Sequence, residues 1–560
     1  MGPEEFLDQL FGYLYATTVW RFILGLLVVS TARILFSVVR LRVKQAPLWK
    51  IPGPPIVSLV TGNYLQMFEF GATKFHDYIT EKYGRIVRIR GFFGDTQLFV
   101  SDPTACTTIL LKEQDIFEQS DWFIEVNRLG LGQGLLATLG GHHRKQRKQL
   151  NPVFSAKHMR SMVPLFHRIT HELREVLKTQ VGGARKELDM VEWLSRLALE
   201  LIAQGGLGCT FDSLNPHGKE NEFRGAIKEF VPTLSSLIMF QAIFTRISKW
   251  PPRLLRLAVK FIPMAMLHNA VRVADVLHKH TKAVFDNKKA LLQMGEEEFT
   301  HQLSEGKDII SVLMKSNDAA SEEDRLPEEE IMAQMSTFMF GATDTTSTAL
   351  SRILYVLAHR QDVQDKLRQE LNDAVENFGG EDLGYDELIE LPYLDAVCRE
   401  TLRVFPPLPV VSRIARADTI LPFSQPIKTA DGMASSVFIP RGTTVMVNIP
   451  GINRDPGIWG ADAAEWKPER WLAPLPKTVA EARVPGVYSH TLTFLGGGHA
   501  CIGFKFSQLE IKTVLSHLLR VFRFSPSPTE VVWLFRGFTT PSEKGSTAVE
   551  PQMPIVVEMI

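Results

Sequence analysis

The chain has 560 residues, 45% of them hydrophobic and 22% charged, which supplies a large core and excludes a disordered or fibrous polymer. Lysine plus arginine equals aspartate plus glutamate at 62 each, so the basic excess of a nucleic-acid binder is missing. Cys106, Cys209, Cys398 and Cys501 stand far apart with no Cys-x-x-Cys pair, which argues against a disulfide framework or a zinc site.

From Leu10 to Val39 the sequence is largely apolar, with Arg21 and Arg33 its only charges. A bilayer core takes about 20 apolar residues to cross, so this stretch is long enough to span with some tilt. Glu4, Glu5 and Asp8 precede it and Arg40, Arg42, Lys44 and Lys50 follow it, a bias that turns the body toward the cytosol. Residues 1–49 are expected to be an uncleaved transmembrane anchor with its flanks; a cleaved signal peptide or an interfacial helix are the alternatives. Ile51-Pro52-Gly53-Pro54-Pro55 then forms a stiff, non-helical connector, because proline fixes its backbone dihedral.

The body, residues 50–560, reads as mainly α with small β-sheets. Helical periodicity dominates from Phe154 to Ala374, and β-branched runs occur near Ile86 to Val100 and Thr443 to Ile449. The linker-like stretches near Gln293 to Asp324 and Ala473 to Pro485 are short and do not read as domain boundaries.

His143-Arg144-Lys145-Gln146-Arg147 is a basic run that, taken alone, reads as solvated surface charge. Pro327 followed by Glu328, Glu329 and Glu330 is an acid-rich helix start, and the pattern continues to His359 and Arg360, about 30 residues. Gly341-Ala342-Thr343-Asp344-Thr345-Thr346 interrupts its apolar stretch. Such polar residues either bond back to the preceding turn or line a cavity where a hydroxyl and an acid move protons.

A further helix is expected from about Leu391 to Val404, ended by Phe405-Pro406-Pro407. Glu400 and Arg403, three apart, share a face on which a bidentate ion pair is easy; exposed pairs at this spacing are also common. Arg413 follows ten residues later, and Trp466-Lys467-Pro468-Glu469-Arg470-Trp471 lies some 30 residues before Cys501. Phe494-Leu495-Gly496-Gly497-Gly498-His499-Ala500-Cys501-Ile502-Gly503 sets a cysteine between a glycine-rich loop and an apolar helix that runs to about Phe522. Helix amides favour the thiolate, the metal-binding form. A buried structural cysteine is the alternative; a phosphate loop lacks its lysine and hydroxyl here.

The last loop resembles the haem-binding signature of the cytochrome P450 superfamily, Phe-x-x-Gly-x-Arg-x-Cys-x-Gly, with His499 in place of the arginine that pairs with a haem propionate. The resemblance covers roughly residues 50–535 and implies a single-domain cytochrome P450 fold preceded by an N-terminal transmembrane helix. It implies heme b bound through the Cys501 thiolate, with Phe494, Gly497, His499 and Gly503 around it. His143, Arg147 and Arg413 would face the propionates, and the contact from His499 should be weaker and more pH-dependent than that of the usual arginine. Glu400, Arg403 and Arg470 would form a buried structural triad, and Asp344 and Thr345 would line the oxygen pocket as the catalytic pair. Ala342 takes a place often held by glycine.

The implied reaction is monooxygenation, since a cysteine sulfur pushes electron density onto iron and favours O–O cleavage. No Gly-x-Gly-x-x-Gly follows a strand, so electrons would come from NADPH through a separate cytochrome P450 reductase on the same membrane. Anchoring and an apolar cavity near Phe340, Val410 and Val411 point to a lipophilic small molecule, with membrane lipid but no nucleic acid as further partner. The run from His143 to Phe154 looks like fungal members, many of which decorate terpenoids in secondary metabolism. A fatty-acid, sterol or aromatic xenobiotic hydroxylase, a haem-thiolate isomerase or dehydratase, and a haem-dependent sensor are the alternatives. The expected location is the endoplasmic reticulum membrane, single-pass, with a cytosolic catalytic domain.

Overall fold

A computed structural model describes the chain from residue 39 onward, apart from 217, 219–221, 295–307 and 489, together with scattered positions between 21 and 36. Most of the expected anchor, Leu10 to Val39, lies outside the described residues, as does the middle of the charged linker. Among the described residues no helix is long and apolar enough to cross a membrane.

Seven helices position the site: α1 Gly140–Leu150, α2 Ala156–Val181, α3 Met190–Ile202, α4 Glu328–His359, α5 Gln361–Asn377, α6 Pro392–Val404 and α7 Phe504–Val521. The long α4 starts where the sequence places it. Pro327 is its N-cap, and three glutamates in the first turn complement the amide end of the helix dipole. Buried residues run along most of its length, so it threads the core, packing against α3, α6 and α7. Pro392 opens α6 with its fixed backbone angle, and the helix stops before Pro406 and Pro407. The stretch from Ala473 to Pro485 contains only a short helix, Lys477–Glu481.

A five-stranded sheet lies to one side, built from β1 Ile86–Arg90, β2 Thr96–Val100, β3 Phe117–Glu118, β4 Val410–Ala415 and β5 Thr444–Asn448, in the order β1-β2-β5-β4-β3. β1 and β2 pair antiparallel with Ile86 opposite Val100, and β2 runs parallel to β5 with Phe99 opposite Met446. Three apolar cores result among the described residues, the smallest formed by Met67, Ile79, Val87, Ile89, Phe99 and Met446. One fills the space between α2, α3, α4 and α7, with Phe166, Leu350 and Leu515 fully enclosed; a second lies under the sheet around Leu98, Val447 and Trp459. Val410 and Val411 pack into the apolar clusters of the sheet.

One residue of α7 works against this burial. Glu510 is fully enclosed, neither carboxylate oxygen has a partner, and burial raises its carboxyl well above the usual range. A raised acid favours the folded state only while protonated, so its stability is present below the unfolded carboxylate range and lost as pH rises. Glu510→Gln should therefore match wild type near pH 4 and exceed it by about 1–3 kcal/mol at pH 8, read from urea unfolding.

Candidate active site

The loop before α7 is closed by its own backbone. The Cys501 amide donates to the Phe494 carbonyl at 2.9 Å, and the Ala500 amide to the Gly497 carbonyl at 3.1 Å. Gly497 has φ +72°, and a Cβ there would lie 1.9 Å from the Leu110 carbonyl oxygen, so only glycine fits this turn. It faces the Thr108–Lys112 segment rather than the cavity. Gln114 accepts a hydrogen bond from the Gly498 amide at 2.7 Å, a support the sequence did not single out. Gly503 differs, for it lines the cavity and a Cβ on it would meet open space.

Cys501 opens into a cavity walled by Thr337, Phe338, Ala342 and Thr345 of α4, by Phe494, and by Leu135 and Leu136. Its sulfur is open to that cavity yet surrounded by protein. Burial raises the thiol, while the Gly503 amide and Arg147 pull it down; burial wins. The helix-end amides expected to produce a thiolate are thus insufficient by themselves. A metal cation facing the sulfur is what would hold it ionised. Phe340 is absent from the wall and rests on Phe230, ring centroids 5.1 Å apart; Val410 and Val411 are also outside it.

The basic residues cluster at one end of the cavity. Arg147 donates to the Ala500 carbonyl at 2.6 Å, tying α1 to the cysteine loop. The rings of His143 and His499 are 4.2 Å apart, and burial pulls His143 down to about 3, which keeps it neutral. His499 Nε2 lies 3.4 Å from Glu118 on β3. Burial would raise Glu118, but His499 and the Gly140 amide hold it below its ordinary value. Arg413 is buried; its Nη1 donates to Gln119, a wall residue, and its Nη2 has no partner among the described residues. Burial lowers Arg413 to about 10, so it remains charged at neutral pH.

The expected pairing of Asp344 and Thr345 in one pocket requires a correction. Thr345 faces the Cys501 cavity, its hydroxyl donating to the Gly341 carbonyl at 2.7 Å. Asp344 faces a second cavity of about 700 Å³ on another side of α4, near Lys228 and Glu192. Successive residues of a helix point about 100° apart, so neighbours cannot share a wall unless it wraps the helix. Burial pushes Asp344 up to about 6, against the pull of Lys228 and Arg224.

Glu400, Arg403 and Arg470 are brought together in the core. Arg403 donates Nε to Glu400 at 2.8 Å and Nη2 at 2.7 Å, with both side chains fully buried. Its remaining N–H groups reach the carbonyls of Asn453, Ala463 and Glu465, so all five donors are used. Arg470 lies 3.5 Å from Glu400, and Trp471 Nε1 and the Lys467 amide also donate to that carboxylate. Trp471 was not foreseen as a partner, although its place beside Arg470 was the available signal.

A buried ion pair beneath a glycine-tightened loop, with a lone cysteine sulfur turned to an apolar cavity, is the framework of a haem-thiolate protein. A cytochrome P450 family profile matches residues 52–548. The chain is 47% identical over 518 residues to cytochrome P450 monooxygenase 91 of Postia placenta, covering 92% of this chain and 95% of that one. It is 40% identical over 525 residues to ganoderic acid synthetase of Ganoderma lucidum (92% and 95%), and 35% identical over 498 residues to a cytochrome P450 of Hericium erinaceus (87% and 90%). The chain belongs to the cytochrome P450 family, whose members are monooxygenases.

That family uses a haem whose iron is bound by a cysteine thiolate, with electrons from a separate redox partner. The residues present fit this group: a sulfur open to the cavity, a Gly503 whose Cβ would fill part of it, and a buried Arg413 N–H with no partner for a carboxylate.

Two outcomes follow from the buried charges. Asp344 is favoured in its neutral form, so its contribution is present below the unfolded carboxylate range and lost as pH rises through about 6. Asp344→Asn should gain stability over wild type between pH 5 and pH 8, by roughly 2–3 kcal/mol in denaturant titrations. Arg403→Leu strands the Glu400 charge and should cost about 3–5 kcal/mol in the same measurement.

Proposed function

We propose that this chain is a membrane-anchored monooxygenase that inserts one oxygen atom from O2 into a lipophilic small molecule, a terpenoid of fungal secondary metabolism. The observation that carries the reading is the Cys501 sulfur opening into an apolar cavity beneath the Thr345 hydroxyl. When bound there, the haem supplies oxygen activation and, through the sulfur's electron donation, O–O cleavage.

The chain's own residues divide the remaining work. Cys501 holds the iron; Phe494 and Gly503 shape the floor, and Gly497 makes the turn that aims the sulfur. Arg147, Arg413, His143 and His499 meet the two haem carboxylates, with the arginines as the permanent charges. Thr345 passes a proton at its Oγ1 into the cavity. Asp344, raised toward neutral pH, draws protons from the second cavity on the other side of α4 and supplies them to the helix groove. Glu400, Arg403 and Arg470 support the cysteine loop.

Residues 1–49 serve as a single-pass anchor in the endoplasmic reticulum membrane and residues 50–560 as the cytosolic catalytic domain, reduced by NADPH through cytochrome P450 reductase. The apolar stretch from Leu10 to Val39 and the basic residues after it support this placement. The terpenoid assignment rests on the fungal character of the run from His143 to Phe154 and on the relative named ganoderic acid synthetase.

Treated with dithionite and carbon monoxide, the purified protein should show the red-shifted Soret band of a thiolate-ligated haem, and Cys501→Ala should lose it. A Soret shift retained in Cys501→Ala would end the proposal. With reductase, NADPH and a terpenoid extract, wild type should add one oxygen mass unit to a lipophilic component.

A further inference from the structure

Away from the haem site, α2 and α7 bring two histidines face to face. His167 Nδ1 and His517 Nε2 are 2.7 Å apart, and Asp382, in the turn after α5, reaches toward both, at 3.9 Å from His167 and 3.7 Å from His517. One donor atom from each of the three residues falls within 4.8 Å of the others. These residues are distant in sequence and lie on three separate elements, so the convergence is a tertiary feature and not a local motif.

The surroundings organise these atoms as donors. His167 Nε2 is 2.8 Å from the Leu383 carbonyl, which can only accept, so the proton sits on Nε2 and the Nδ1 lone pair faces the cluster. His171 holds the Asp382 carboxylate from the other side, Nε2 to Oδ2 at 2.7 Å. With the His167 lone pair turned to it, His517 Nε2 carries the proton of their 2.7 Å hydrogen bond, and an ion would take that proton's place as His517, 2% exposed, shifts to its Nδ1–H tautomer.

We propose that His167 Nδ1, His517 Nε2 and the Asp382 carboxylate form a zinc site that joins α2, α7 and the turn after α5. Zinc at 2.0–2.1 Å from nitrogen or oxygen in tetrahedral geometry sets ligand atoms about 3.3 Å apart. The observed separations of 2.7, 3.7 and 3.9 Å straddle that value, so small rotations of the three side chains close the site. A surface cleft lined by His167, His171, Glu172 and Asp382 runs beside the cluster and offers the ion an entry path. Two nitrogens and one oxygen select zinc over the harder magnesium and calcium. Arg174 and Arg520 also face the cluster; Arg174 is paired with Glu175, and Asp382 carries the charge that offsets Arg520. Cysteine spacing speaks only against thiolate zinc sites and leaves this set of histidines untouched. His517 stands roughly 20 Å along α7 from its Cys501 end, so the ion would pin the far end of the helix that follows the cysteine loop.

The test uses tag-free, haem-loaded full-length protein, stripped with chelator and titrated with zinc chloride by equilibrium dialysis and elemental analysis. Wild type should bind one zinc per chain and melt several degrees higher with it. The zinc-edge X-ray absorption spectrum, which the haem iron does not disturb, should show scattering from two imidazoles. Asp382→Asn should weaken binding at least tenfold and His517→Gln should abolish it. Asp382 is about a third exposed, so its variant decides the matter if buried His517→Gln does not fold. Less than one zinc bound at saturation, an unchanged affinity in Asp382→Asn, or a spectrum without imidazole scattering would overturn the assignment.

Discussion

The Glu400 carboxylate is the point on which the proximal side of the structure hangs. Burying an isolated charge costs several kcal/mol or more, and the cost is recovered only when every lone pair and proton is matched. Here Arg403 grips the carboxylate with two N–H groups, and Trp471 and the Lys467 amide supply two more. The pair thereby fixes α6 against the segment from Glu465 to Trp471. From α6 the order passes on: Thr493 donates to the Leu402 carbonyl at 2.7 Å, and Asn453 bonds both Thr493 and the Leu492 amide. The next residue is Phe494, where the cysteine loop begins. A fully satisfied ion pair thus sets the position of a sulfur about a hundred residues later in the chain.

Above the sulfur, one helix separates two environments. Thr345 is turned to the cavity that holds Cys501 and Asp344 to the larger one beside Lys228. An acid placed in the oxygen pocket itself would put charge beside an apolar substrate. Asp344 sits on the neighbouring face instead, raised toward neutral pH by burial and outside the wall of the Cys501 cavity. The threonine hydroxyl is committed to the Gly341 carbonyl and is therefore not a free rotor in the cavity.

Much of this was legible in the order of residues, and the gaps have physical causes. Pro327 with three glutamates, and Pro392 before Pro406, mark helix ends through backbone constraints that act locally, and the structure places α4 and α6 within a residue of those signals. The spacing of Glu400 and Arg403 guaranteed a shared face but not burial, which depends on what packs there. The resemblance puts Thr345 and Asp344 in one pocket as an acid–threonine pair, whereas helical rotation turns them to different cavities. Gln114 and Glu118 carry no motif of their own; they matter only because the fold brings β3 and the segment before it onto the cysteine loop. The His167–His517 contact is of the same kind, with 350 residues between its partners.

The replacement of the family's arginine by His499 is best understood from the charges around it. An arginine there would be permanently cationic, and Glu118 would lie beside it as a ready counter-charge. With histidine, the same Glu118 is 3.4 Å from an imidazole whose charge depends on protonation, while His143, stacked on it, stays neutral. The permanent positive charge at this end of the cavity is then left to Arg147 and Arg413. Of the two, Arg413 still has an unpartnered N–H in the interior, a group that a buried carboxylate would satisfy. A carboxylate bound there would meet that N–H on strand β4, which the sheet holds through its pairing with β5.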